Sequence, residues 1–83
     1  TNITYLLQGM KAKFRVEVTE ENLDEIIYKN SNDPNPRERN FCSRLTNGAC
    51  EKTVILRTGS NNIWFTVHDK AGNVVSQNVE IVV

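Results

Sequence analysis

The chain has 83 residues, and its ten Lys and Arg residues are balanced by ten Asp and Glu. A single domain of this size buries only about 60–65% of its extended surface, which leaves little room for a deep catalytic cleft. The balanced charge argues against a nucleic acid partner or an anionic membrane surface, since either needs a basic excess. No apolar run approaches the ~20 residues of a membrane span, so we expect no membrane insertion.

The N-terminal part of the chain predicts two strands. The first residue is not Met and falls inside a plausible strand, so we expect one domain, residues 1–83, excised from a larger protein. Over Thr1–Leu7 the residues Ile3, Tyr5 and Leu7 share one parity, which predicts an edge strand. In Ala12–Thr19 apolar and polar residues alternate strictly, which is typical of a strand with one buried and one solvated face.

The next stretch, Glu20–Asn30, carries two conflicting signals. Three of its apolar residues have helical spacing, while Ile26-Ile27-Tyr28 is rich in strand-forming residue types. Because the flanking strands need a partner, we predict a strand at about Glu25–Lys29. A single helical turn near Glu20–Leu23 is compatible with that strand.

A polar loop and a cysteine hairpin follow. Asn30–Asn40 is the most polar stretch and contains two prolines, which remove amide donors, so an exposed loop is predicted. A strand is predicted at Phe41–Leu45 and a turn at Thr46–Ala49. Seven residues separate Cys42 from Cys50, a spacing that suits a disulfide across the base of a hairpin.

Other interpretations of the two cysteines remain open. Closing a loop of ~9 residues is worth about 2.5 kcal/mol in the chain-entropy model, and a disulfide implies an oxidising compartment. Two free thiols are the main alternative. A metal site is weaker, because zinc takes four ligands and only His68 could be added, and a redox pair usually has two intervening residues. We therefore expect no metal and no cofactor.

The end of the chain has the clearest pattern. Three apolar runs, Thr53–Arg57, Asn62–His68 and Val75–Val83, are separated by two turns rich in Gly, Asn, Asp and Ser. In the middle run the alternation is strict, and it places Trp64 on the face opposite to Phe65. We predict three consecutive antiparallel strands joined by short loops.

Seven predicted strands with short loops and no long helix indicate an all-β fold, an immunoglobulin-like antiparallel β-sandwich. The two cysteines are too close in sequence for the inter-sheet bridge of antibody domains, so a sandwich without that bridge is expected. The inward-facing set should be Phe14, Val16, Val18, Leu56, Ile63, Phe65, Val67, Val79 and Ile81.

A family resemblance is carried mainly by the last third of the chain. The pattern runs through Leu56, Gly59, Asn61, Ile63, Val67, Asp69, Ala71, Gly72 and Asn73, and closes with Val79, Ile81 and Val83. It resembles bacterial and archaeal immunoglobulin-like repeats of secreted and cell-surface proteins, and is also similar to the hyalin-type repeat. Asn22-Leu23 before Ile26-Ile27-Tyr28 looks like the third strand of those repeats. The resemblance covers about half the chain and departs at Asn30–Lys52.

This resemblance implies a non-catalytic domain that is secreted or lies on the cell surface. Such domains are spacers, stalks, adhesive tips or accessory units beside an extracellular hydrolase, and their partners are neighbouring domains of the same polypeptide. Fold alone does not choose among these roles. An inhibitor that presents the disulfide-clamped loop to a protease is a third class, and any specific function is expected in Asn30–Lys52.

Candidate ligand-binding residues fall into two groups, which would take a glycan or protein ligand. Trp64 is predicted to point outward, where an indole stacks on a sugar or anchors a protein, unless a neighbouring side chain or domain covers it. Arg37, Arg39 and Arg44 flank the first cysteine, and their guanidinium groups could meet a carboxylate or sulfate. Glu38 lies between two of them and would neutralise part of their charge.

Calcium binding and catalysis are weaker hypotheses. Asn32–Asn35 offers hard oxygen ligands, but one carboxylate is too few for tight calcium binding. The acidic run Glu20–Glu25 and the turn at Asp69 are more simply interpreted as a solvated and a structural turn. His68 is the single histidine, and neither a nucleophile elbow, a phosphate-binding loop nor an HExxH motif accompanies it. We expect no enzyme activity.

Overall fold

The computed structural model describes residues 2–19 and 22–83 and contains seven β-strands in two antiparallel sheets. The strands are β1 (Asn2–Gln8), β2 (Lys11–Glu17), β3 (Leu23–Asn30), β4 (Arg39–Cys42), β5 (Ala49–Ile55), β6 (Ser60–Asp69) and β7 (Val74–Val82). One sheet has the strand order β1-β2-β5, and the other has the order β4-β3-β6-β7. The predicted all-β sandwich of seven strands is confirmed.

Strand boundaries differ most from the prediction around the cysteines. The strand predicted at Phe41–Leu45 is β4, which begins at Arg39 and already ends at Cys42. The strand that was predicted to start at Thr53 begins at Ala49. Thr1, Glu20 and Glu21 lie outside the described residues, so the first half of the helical turn predicted near Glu20–Leu23 and part of the acidic run lie there too. Leu23, the last residue of that predicted turn, already belongs to β3.

The core is formed by the inward faces of the two sheets. In β2 and β6 every second side chain is buried, as the alternation predicts. Phe14 and Phe65 meet between the sheets with ring centroids 5.1 Å apart, and Phe41 packs edge-on against Phe65 at 5.4 Å. Of the predicted inward set, all are buried except Val79, which is partly buried. Burying a Phe or Ile side chain contributes about 1.5–3 kcal/mol, so this layer is the main source of stability.

The predicted pairing of the last three strands is correct for β6 and β7 and wrong for β5. β6 pairs antiparallel with β7 over its whole length, from Ser60–Val82 to His68–Val74. β5 instead pairs with β2 in the other sheet, and β6 pairs with β3. Alternation determines which face of a strand is buried, but it does not identify the neighbouring strand.

The crossover between β5 and β6 is held by the buried side chain of Asn61. Its Nδ2 donates to the carbonyl of Arg57 at 2.7 Å and to that of Gly59 at 3.2 Å. Its Oδ1 accepts from the Arg57 amide at 3.0 Å and from Asn30 Nδ2 at 3.1 Å. Gly59 has a φ of 105°, a conformation that favours glycine. The Gly59-x-Asn61 part of the sequence pattern is therefore explained by the change of sheet.

The predicted disulfide between Cys42 and Cys50 is present, with a Cα–Cα distance of 6.5 Å. Its predicted setting, a hairpin, is wrong. Cys42 ends β4 in the four-stranded sheet, whereas Cys50 lies in β5 of the three-stranded sheet. The bridge joins the two sheets, which was not predicted, because β4 pairs with β3 and the chain changes sheet between the cysteines. The disulfide thus closes one lateral side of the sandwich.

The turn between β6 and β7 has the structural role that was predicted for Asp69. Asp69 Oδ1 accepts from the amides of Ala71 at 2.9 Å and Asn73 at 2.8 Å, and Oδ2 accepts from Asn73 Nδ2 at 2.9 Å. Gly72 adopts the predicted positive φ, at 89°. The hydrogen bonds from Asn73 and from the turn amides hold the pKa of Asp69 below its ordinary value.

Candidate functional site

A groove lies where the edge strands β4 and β5 separate. The disulfide joins these strands at one end, and beside it Lys52 Nζ donates to the Asn40 carbonyl at 2.9 Å. The same ammonium lies 5.5 Å from the centroid of the Tyr28 ring. Beyond this point the strands part and leave an open groove of about 470 Å³. The groove is therefore closed at its disulfide end by one covalent and one polar contact.

The groove is lined by both polar and apolar groups. Its polar lining comes from Tyr28, Asn30, Asp33, Arg39, Thr53 and Arg57. The guanidinium of Arg39 lies 3.5 Å from the Asp33 carboxylate, and both side chains are partly exposed. An exposed pair of this kind contributes little to stability, so a ligand carboxylate or sulfate could compete for Arg39 at small cost.

The Asn30–Asn40 loop reaches the groove in a defined conformation. Asn32 Nδ2 donates to the Thr58 carbonyl at 3.2 Å, which ties the loop to the β5–β6 crossover. Asp33 Oδ1 accepts from the Asn35 amide at 3.3 Å. Both oxygens of the Asp33 carboxylate, the one charged ligand considered for calcium, are thus engaged, one by the Asn35 amide and the other by Arg39. Among residues 2–19 and 22–83, no three His, Cys, Asp or Glu side chains lie close enough together to hold a metal ion.

Trp64 lies on the outer face of β6, as predicted, and its side chain is 50% exposed. Its cross-strand neighbours are Lys29 on β3 and Asn78 on β7. Arg39 pairs with Tyr28, whose ring packs inward against Phe41, so Arg39 belongs to the opposite face of the same sheet. The indole and the groove are consequently two separate surfaces.

The three candidate arginines do not converge either. Only Arg39 lines the groove. Arg44 lies in the loop after β4 and borders a second depression of about 420 Å³, next to the disulfide and Glu51. Arg37 is exposed in the loop that precedes β4. Arg39 and Arg44 therefore border different depressions, because Arg39 begins β4 and Arg44 follows its end at the disulfide.

Sequence reasoning missed Tyr28 and Arg57 as groove residues. Tyr28 lies within β3 and Arg57 in the crossover after β5, and no local pattern brings these two distant stretches together. It also missed the buried amide pair of Asn30 and Asn61. A polar residue at a core-parity position, as Asn61 is between Gly59 and Ile63, is the one signal that could have revealed it.

The outer face of the three-stranded sheet is a solvated charge network. Arg15 donates to Glu51 at 2.8 Å and to Glu17 at 3.3 Å, and Lys13 lies 3.2 Å from Glu51. The hydrogen bonds from Arg15 and Lys13 lower the pKa of Glu51. Since all these side chains are exposed, this face has the character of an ordinary wet sheet surface.

Comparison with known proteins identified no relative of this chain. No protein-family model, no curated protein and no solved structure matches the chain. Within the part of the chain that the structure describes, no helix is long and apolar enough to cross a membrane. The fold and the geometry of these surfaces therefore carry the functional argument.

Proposed function

We propose that this chain is a non-catalytic immunoglobulin-like domain that acts as a rigid spacer or accessory unit in a secreted or cell-surface protein. The observation that carries the proposal is the position of its two chain ends. Asn2 pairs with Glu17, which pairs with Ala49 at one end of the sandwich. Val83 exchanges hydrogen bonds with Gly59 at the other end. The body between them is 37 Å long.

Two further features support a rigid body. The Cys42–Cys50 bridge links the sheets at one lateral side, and the Asn61 side chain fastens the crossover at the end where Val83 lies. A disulfide also favours an oxidising compartment, which supports a location outside the cell. Neighbouring domains of the same polypeptide are the proposed partners.

The spacer proposal is tested by attaching one fluorescent protein to each end of the chain and measuring energy transfer. We expect a single, narrow separation that stays constant until the domain unfolds. Reduction of the disulfide should widen the distribution of end-to-end distances, while the two chain ends stay at opposite ends of the sandwich. A short or broad separation in the native protein would contradict the proposal.

A recognition function is the second candidate, favoured by the half-exposed indole of Trp64 and by the groove at Arg39. Because these surfaces are separate, single variants distinguish them on a glycan array and in a panel of sulfated and carboxylated ligands. Binding lost in Trp64→Ala alone assigns a stacking surface for a sugar. Binding lost in Arg39→Ala alone assigns the groove. The spacer proposal expects no binding in wild type.

A further inference from the structure

The lateral side opposite the disulfide is bounded by β1 and β7, and both edges lack the usual protection. β1 contains no charged residue, and the nine residues of β7 contain only Glu80. On the disulfide side, by contrast, β4 carries Arg39 and β5 carries Glu51 and Lys52. Exposed strand edges are normally protected by charge, proline or bulges, because their free amides and carbonyls pair readily with another strand. The β7 ladder has no bulge.

Several apolar side chains on the inward faces of β1 and β7 are exposed along this open side. Tyr5 lies opposite Phe14 and is 47% exposed, and Leu7 on the same face is 43% exposed. Val75 lies opposite the buried Val67 and is 55% exposed. These side chains point into the space between the sheets, yet they remain accessible from the side. The core is therefore uncovered where β1 and β7 face each other.

Hydrogen bonds at the two ends of β7 show which of its residues bond to β6 and which face the free edge. Val83 and Gly59 exchange both backbone hydrogen bonds, at 2.9 and 3.0 Å, and the Asp69 amide donates to the Asn73 carbonyl at 3.1 Å. In an antiparallel pair, hydrogen-bonded positions alternate with positions that face away. Odd-numbered residues of β7 thus bond to β6. The residues that direct amide and carbonyl to the free edge are Val74, Ser76, Asn78, Glu80 and Val82.

We infer that two copies of this chain associate through β7, which pairs antiparallel with β7 of the partner subunit about a two-fold axis at Asn78. This register overlaps all nine residues of the strand, and every shift to another hydrogen-bonded register shortens the overlap. It places Ser76 opposite Glu80 of the partner subunit and Val74 opposite Val82 of the partner subunit. Each of these positions directs its amide and carbonyl to the free edge, so each meets a hydrogen-bonding partner.

The side chains are self-complementary in this register. Glu80 meets a serine rather than a second carboxylate, so no like charges oppose each other. Val74 and Val82, both largely exposed in the single chain, become cross-strand neighbours on the outer face. The four-stranded sheets join into one sheet of eight, and the open sides with Tyr5 and Leu7 turn toward the axis. Such an interface is isologous and closes at two copies. It does not depend on the proposed spacer function.

The association is tested by analytical ultracentrifugation of the native chain between about 10 µM and about 1 mM. We expect a reversible, concentration-dependent rise from the 9.5 kDa monomer toward twice that mass. A single monomeric species over the whole range would overturn the inference. An open-ended series of larger species would also overturn it, because a two-fold interface leaves no free copy of the edge.

Proline variants test which edge is used. The Asn78 amide faces the free edge, so Asn78→Pro leaves the β6 ladder intact and removes a bond to the partner. Thr53→Pro is the matched control. Leu56 donates its amide to the Met10 carbonyl and Val18 donates to the Gly48 carbonyl, so even-numbered β5 residues bond to β2 and odd-numbered β5 amides face the other free edge. We expect Asn78→Pro to be monomeric and Thr53→Pro to dimerise as wild type does. The reverse result would assign the interface to β5.

Charge variants at Ser76 test the register without relying on proline. Ser76→Lys places two ammonium groups opposite the two Glu80 carboxylates, whereas Ser76→Glu places like charges there. Both lose the same contact with Thr66. We expect the dimer dissociation constant to fall roughly 2- to 30-fold in the lysine variant and to rise by a similar factor in the glutamate variant. Equal effects of the two variants would refute the register.

Amide hydrogen exchange provides a residue-level readout in the wild-type chain. The amides of Gln77 and Val79 bond to β6 and should be protected at every concentration. The amides of Ser76, Asn78 and Glu80 should exchange rapidly in dilute solution and slowly in concentrated solution. Concentration-independent exchange at these three positions would exclude pairing through β7.

Discussion

Asn30 Nδ2 donates to Asn61 Oδ1 across 3.1 Å in the interior of the sandwich. The two residues are 31 positions apart, and they join the end of β3 to the crossover that carries the chain into β6. Asn61 is fully buried, and its amide also reaches the carbonyls of Arg57 and Ile81. A fully satisfied buried amide of this kind stabilises one chain path over the alternatives.

Asn61→Ala should destabilise the domain by about 2–4 kcal/mol, because it leaves the Arg57 backbone and the Asn30 amide without their buried partner. Urea unfolding followed by circular dichroism measures the change in the free energy of unfolding. Asn62→Ala, one position along on the outer face, is the control and should cost less than about 1 kcal/mol. Equal losses in both variants would show that the amide network is not the cause.

Replacing both Cys42 and Cys50 by serine should lower the free energy of unfolding by about 2.5 kcal/mol through the lost loop constraint. For a domain of this size, that corresponds to a fall in Tm of roughly 10–20 °C. Calorimetry of the variant and of the reduced wild type should give the same Tm. A Tm unchanged from the oxidised protein would mean that the sheets need no covalent link.

The stability of the domain should fall as the pH is lowered through the pKa of Asp69 in the folded state. Hydrogen bonds from Asn73 and Ala71 depress this pKa, so the carboxylate stabilises the fold above the ordinary aspartate pKa of about 4 and loses that contribution below it. The free energy of unfolding measured against pH checks the prediction. The difference between wild type and Asp69→Asn should shrink toward acidic pH, and a constant difference would contradict it.

Adjacent positions on β6 should lose very different amounts of stability when their side chains are truncated. Phe65→Ala removes a buried ring and should cost about 3–5 kcal/mol, whereas Trp64→Ala removes a half-exposed one and should cost less than about 1 kcal/mol. Chemical unfolding of both variants makes the comparison. In the native chain, acrylamide should quench Trp64 fluorescence readily. A buried, unquenchable indole would mean that the outer face of β6 is covered.

Local features of this protein could be predicted from the sequence because they arise from neighbours along the chain. The alternation in β2 and β6 predicts their buried faces, since successive side chains of a strand point to opposite sides. The Asp69 turn is likewise encoded by residues that bond their own backbone. The all-β class follows from counting such segments.

Only the tertiary structure decided which strands are neighbours, because hydrogen bonds between strands join residues far apart in sequence and leave no local periodicity. The assignment of β4 and β5 to different sheets turned a predicted hairpin clamp into an inter-sheet bridge between Cys42 and Cys50. The same assignment opened the groove at Arg39. Trp64 lies apart from this groove because it is on the opposite face of the four-stranded sheet. β1 and β7 are edge strands, each paired on one side only, so the lateral side of the sandwich away from the disulfide is uncovered. This is a property of strand order that no single stretch of sequence contains.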